Sequence, residues 1–428
     1  MKKKLSIIAV ILVLIAACGF AYYASGNELS YFANYGTNFR RNVNAIAQRF
    51  NWSLPQPVQE FLDQTPEPTQ EPEFDWASLM TPEPTQEPIE EELLESLQPT
   101  KNPALASVPL ALDHASSAQY ARFGKYILCA TETSLTAYNT AGEEQWRMDI
   151  QISDPILSTA GNYILLAERG GTKVEVYKKQ KRILSTRIDS NIAGGSISTR
   201  GDAVLVTEKN SYKGSVIVFN NNGQEVYRWN SGTYSVLSAS ISSFSRRLAV
   251  SLLNTEGGAS SKIMFFKLKD SESYQTVDFP NAVVFDLRYD GETLNAISDN
   301  KITGLSTSGK VKWEYEYTQK TLNHYAFGDD GSKLCVFDNN NAAEITLITG
   351  GGRERSITTS EVLPDLVDIH DGYIAYNNGR DLIFSTLSGK IQSRYMCSRD
   401  IQKLYILDSS NVLVVYSSSL EFVKLSKG

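Results

Sequence analysis

The stretch KYILCATETSLTAYNTAGEEQW, Lys125–Trp146, decides the fold. Tyr126–Ala130 is a short apolar run and Ser134–Tyr138 is a second, separated by three polar residues. A Gly-bearing turn follows, and then Gln145-Trp146-Arg147-Met148. Short β-rich runs punctuated by Gly, Asn, Asp and Ser read as successive antiparallel strands joined by tight hairpins. The cadence recurs as NYILLAERGGTKVEVYKKQKRIL (162–184), DAVLVTEKNSYKGSVIVFNNNGQEVYRW (202–229), ETLNAISDNKITGLSTSGKVKWEY (292–315) and GYIAYNNGRDLIFSTLSGKIQSRY (372–395).

Turns opening the inner hairpins fall at Gly124, Gly161, Gly201, Ser245, Gly291, Gly331, Gly372 and near Ser409. Their spacing, about 37 to 46 residues, is the period of a four-stranded propeller blade. One such blade buries neither face alone, so its apolar residues need a neighbour on each side. The expected fold is therefore an all-β, eight-bladed β-propeller over residues 103–428. Seven blades is the alternative if the irregular unit near Ser240–Pro280 is not a blade. The last unit has room for only three strands, Gln402–Leu407, Val412–Tyr416 and Leu420–Leu425. Ser107–Leu112, ahead of the first unit, is expected to supply the fourth strand and close the ring.

Outward from this body the chain divides into three further segments. Residues 1–26 open with Lys2-Lys3-Lys4 and run without a charge from Leu5 to Ala24. Twenty apolar residues at about 1.5 Å each span a hydrocarbon core of about 30 Å. Lysines on the short N-terminal side put that end in the cytoplasm, which makes a single-pass membrane protein with an extracellular propeller. Ile15-Ala16-Ala17-Cys18 also matches a bacterial lipobox, in which Cys18 would carry the lipid. Apolar residues continue from Gly19 to Ala24 and favour the uncleaved helix. Both readings leave the body outside the membrane.

In residues 27–62, Phe32, Tyr35, Phe39, Val43, Ile46 and Phe50 recur at helical spacing, which predicts an amphipathic juxtamembrane helix. Residues 63–102 contain TPEPTQEP twice, at 65–72 and 81–88, and predict an extended, disordered acidic linker. Charge follows these divisions. Residues 1–62 hold six basic and two acidic side chains, and residues 63–100 hold eleven acidic and no basic ones. The whole chain is −7, so the rest of it sums to zero. A neutral body without a basic face excludes nucleic acid as a partner.

The pattern at Leu135–Trp146 and Ile302–Trp313, with Val216–Trp229 as a longer relative, is Ala or Leu, a polar turn, Gly, then Trp. It resembles the repeat of quinoprotein-type (PQQ-like) propellers, and the whole layout resembles an uncharacterised family of membrane-anchored propellers in Gram-positive bacteria, a domain of unknown function. The resemblance implies that the Gly makes the outer turn and that Trp146, Trp229 and Trp313 pack between blades. It does not extend to a quinone site. Such enzymes use adjacent cysteines, whereas Cys129, Cys335 and Cys397 fall in separate repeats on patterns that bury them. No cofactor is expected. His114, His324 and His370 lack metal-ligand spacing, and no metal site is expected either.

Asp286, Arg288, His324, Asp365 and Asp368 are the polar residues expected on inner strands or at the channel mouth, where propellers usually bind. Two function classes follow. One is a non-enzymatic binding or scaffolding module for an envelope protein, peptide or glycan. The other is a hydrolase, lyase or cyclotransferase working at the channel mouth. Sparse titratable residues favour the first.

Overall fold

The computed structural model describes residues 106–426 apart from 210, 256–258, 340–341 and 361–362. The expected anchor, juxtamembrane helix, acidic linker and Cys18 lie outside the described residues. Those that are described form 32 β-strands and no α-helix, arranged as eight four-stranded sheets. Among them no helix is long and apolar enough to cross a membrane.

Seven sheets are simple meanders whose strands pair in chain order. Blade 1 covers 119–149, blade 2 155–187, blade 3 191–230, blade 4 235–279, blade 5 284–316, blade 6 321–360 and blade 7 367–396. The unit around Ser240–Pro280 is thus an ordinary blade with a long hairpin, and the count is eight. In blade 8, Lys403–Ile406, Asn411–Val415 and Ser419–Lys424 are joined by Ala106–Ala111. That strand lies antiparallel to Ser419–Lys424, with Ala106 opposite Lys424 and Ala111 opposite Ser419. The ring closes as expected, by a strand from the opposite end of the chain.

Alternation along each second strand holds neighbouring blades together. Leu128 and Ala130 of blade 1 meet Ile164 and Leu166 of blade 2. On the reverse face, Ile127 and Cys129 meet Leu413 and Val415 of blade 8. Every one of these side chains is nearly or fully buried. Two-sided burial explains why these strands read as continuous apolar runs rather than apolar–polar alternation. Each Leu, Ile or Val among them contributes about 1.5–3 kcal/mol on removal from water.

The outer hairpins explain the repeated sequence signature. Asn139 Oδ1 accepts from the backbone N–H of Ala141 (3.0 Å) and Glu143 (2.9 Å). Asn220, Ser306 and Thr349 hold the same turn in blades 3, 5 and 6 through their side-chain oxygens. Gly142 ends the turn at φ +84°, and a Cβ there would lie 2.7 Å from the Phe422 ring. Trp146, Trp229 and Trp313 are half-buried on outer strands and pack against the next blade, as the resemblance implied. Cys129, Cys335 and Cys397 are buried free thiols.

Candidate functional site

Eight inner strands surround the central channel and run in parallel toward the turns at 124–125, 161–162, 198–202, 242–246, 291–292, 328–332, 371–372 and 407–410. These turns ring one mouth. The body's N-terminus lies on the same face, because Ala106 pairs with Lys424, where the third strand of blade 8 returns to that side.

Polar side chains on the inner strands are largely spent on joining blades. Thr159 Oγ1 donates to the carbonyl of Arg122 (2.7 Å), and Ser158 Oγ accepts from the N–H of Ile197 (3.2 Å). Ser196 Oγ donates to Ala239 O (3.4 Å), and Ser238 and Ser240 accept from the N–H groups of Leu287 and Tyr289. Between blades 5 and 6, Tyr325 Oη donates to Asp286 (2.9 Å). Lys403 Nζ donates to Ala118 O (2.7 Å) between blades 8 and 1. In blades 3 to 6 a bulge precedes Gly194, Ser238, Asp286 and His324 on the inner strand. A bulge re-aims the side chain that follows it.

The strongest of these joints spans three blades at the closure. Asp368 of blade 7 is buried, accepts from the N–H of Ile406 of blade 8 (2.6 Å), and pairs with the Arg122 guanidinium of blade 1. Arg122 Nε donates to Ile406 O (2.8 Å). Burial pushes the Asp368 carboxyl up from its ordinary range, while Arg122 and the Ile406 and Ile369 N–H groups oppose that. Desolvation likewise raises Asp286 against the Tyr325 hydroxyl and Arg288.

The five residues expected at the channel therefore separate. Asp286 and Asp368 bridge blades. His324, 4% exposed, faces the blade 6–7 seam beside Val336, and its Nε2 has no hydrogen-bond partner among the described residues. Asp365 is exposed in the loop before the blade 7 inner strand, at the opposite mouth. Only Arg288 is exposed on the inner wall, its guanidinium 4.6 Å from the centre of the Phe327 ring. Enclosure by the surrounding wall lowers its pKa by desolvation, opposed by Asp286 and Asp290.

Sequence reasoning missed Arg122 and the inner-strand serines. A recurrent Ser midway along several inner runs was the available signal. On the turn-bearing mouth, Phe244 is 74% exposed at the tip of the blade 4 turn. That turn is pinned on one side by Arg246 to Asp202 (2.8 Å) and on the other by Ser242 and the Ser245 N–H to Glu292. A shallow pocket lies at the same mouth between Arg122, Lys125, Thr140 and His370. His370 Nδ1 is 2.7 Å from Asp329 Oδ2. No group of three or more His, Cys, Asp or Glu placed to hold a metal occurs among the described residues.

Residues 107–425 match a family described as a family of unknown function (DUF5711). No curated protein matches the chain. Among solved structures it is similar to the computationally designed Ika8 protein, at 12% identity over 76% of this chain and 99% of that one, with a TM-score of 0.54. BamB from Moraxella catarrhalis aligns at 12% identity over 75% of this chain and 99% of that one, with a TM-score of 0.48. The Cps50 (Swd1) β-propeller domain of Myceliophteria thermophila aligns at 13% over 69% and 99%, with a TM-score of 0.47. At such identities the likeness is one of fold.

Proposed function

The chain belongs to the DUF5711 family, and from that footing we propose that it is a membrane-anchored, extracytoplasmic binding or scaffolding module rather than an enzyme. The propeller presents its turn-bearing mouth to an envelope protein, peptide or glycan. Support comes chiefly from one observation: Asp286 and Asp368, the acids that sequence reasoning placed at the channel, are hydrogen-bonded into blade-to-blade joints. A carboxylate that holds the ring together is poorly placed to shuttle protons. What the mouth offers instead is a rigid frame with pinned turns and an exposed aromatic, the kind of anchor that carries interface energy. The apolar run Leu5–Ala24 behind a lysine cluster supports the address. The quinoprotein-like repeat enters this reading as a source of hairpins and inter-blade tryptophans only.

The test is site-specific photo-crosslinking in intact cells, with the crosslinker at Phe244, at Lys125, or at Asp365 on the opposite mouth. Reproducible capture of one envelope component from Phe244 or Lys125, and not from Asp365, is expected. Capture confined to Asp365, or fractionation of the chain with the cytosol, would overturn the reading.

A further inference from the structure

We propose that the pocket at the junction of blades 7, 8 and 1 is a carboxylate-recognition site. This deepens the reading of the turn-bearing mouth as a binding face and rests on it. The lining brings together Arg122 from the end of the blade 1 inner strand, Gly124 and Lys125 from its turn, Tyr126, Thr140 from the outer hairpin and His370 from blade 7. No carboxylate lines it.

Arg122 is paired with Asp368, and the His370 ring faces Asp329 outside the lining. Lys125 is exposed, in none of the ion pairs among the described residues, and lies 5.3 Å from the centre of the Tyr126 ring. Lys125 is thus a lining cation without an ion-pair partner among the described residues. The pocket also has the Thr140 hydroxyl and the quarter-exposed Arg122 side chain at its border. Arg122 is already locked by two partners, so no ordering cost falls on it when a ligand arrives.

Size sets the ligand class. The pocket has room for about one water-sized group. A single carboxylate oxygen fits there while the remainder of the ligand stays on the open face. One lining cation of this kind and donor side chains suit a singly charged, planar acceptor better than a dianion. Carboxylates of this kind occur at a peptide C-terminus and on a uronic acid.

Saturation-transfer NMR on the full-length chain in detergent tests the assignment and separates the two sources. The probes are N-acetylated tetra-alanine with a free C-terminus against its C-terminal amide, and glucuronate against glucose. Saturation transfer is expected for one or both acids and for neither neutral partner. In the Lys125→Glu and Thr140→Val variants affinity for that acid should weaken about tenfold or more, with melting unchanged, and Lys310→Glu on the blade 5 hairpin should leave it intact. Equal transfer for acid and neutral probes, or affinity unmoved by both pocket variants, would overturn the site. Photo-crosslinking at Phe244 could still succeed in that case, so failure of the pocket is distinguishable from failure of the binding-module reading.

Discussion

Replacing Lys333 with Met should stabilise the propeller at neutral pH. Lys333 starts the second strand of blade 6 and is 0% exposed. Its Nζ has no hydrogen-bond partner among the described residues and sits 4.6 Å from the centre of the Trp313 ring. Desolvation pulls its pKa down from 10.5 to about 8, against the upward pull of Cys335, Asp290 and Asp330. The folded value lies below the unfolded one, so the folded chain binds fewer protons between those limits. Stability contributed by this site is therefore lowest below about pH 8 and recovers as pH rises toward 10.5. At about 1.4 kcal/mol per unit the cost of holding the ammonium is about 3 kcal/mol at neutral pH. Met keeps the stem's packing and removes the charge, and the lost cation–π contact returns about 1 kcal/mol. A net gain of about 2 kcal/mol is expected at pH 7, a rise in melting temperature of about 3 °C for a body of this size. Paired melts of both chains at pH 7 and pH 10 measure it. The gap between them should shrink by more than half at the higher pH. A variant less stable at pH 7, or a gap that does not change with pH, would refute the reasoning.

Three other outcomes are expected. Arg122→Ala leaves Asp368 buried without its cation and should cost about 3–5 kcal/mol in denaturant titration, whereas Arg122→Met combined with Asp368→Leu should cost clearly less; additive losses would contradict a coupled joint. Removing Ala106–Ala111 should cost only about 2–4 kcal/mol, because Ser107–Pro109 and Ala111 are largely exposed and the loss is mainly the ladder. The freed edge of Ser419–Lys424 should also promote association, read by light scattering; unchanged melting and elution would argue against closure by this strand. For the membrane segment, intact mass of the detergent-extracted chain should retain Met1 or Lys2, and Cys18→Ala should remain membrane-bound; a species beginning at an acylated Cys18 would replace the helix with a lipid anchor.

The period of turns from Gly124 to Ser409, the strand count of each repeat and the need for Ser107–Leu112 to complete the last one were all legible in the chain. Each depends on local chemistry: φ tolerance at Gly142, the side-chain cap of Asn139, and the two-sided burial that makes Ile127–Ala130 uniformly apolar. The fate of the polar residues was not legible. Asp286 and Arg288 are two positions apart on one inner strand, yet one is tied to Tyr325 of the next blade and the other is exposed on the channel wall. Arg122 and Asp368 are separated by 246 residues and meet only because the ring closes between them. Local sequence specifies a repeat because each blade's strands are contiguous in the chain. Contacts between blades depend on how the repeats are stacked and closed, and that is where the joints, the orphaned Lys333 and the mouth pocket arise.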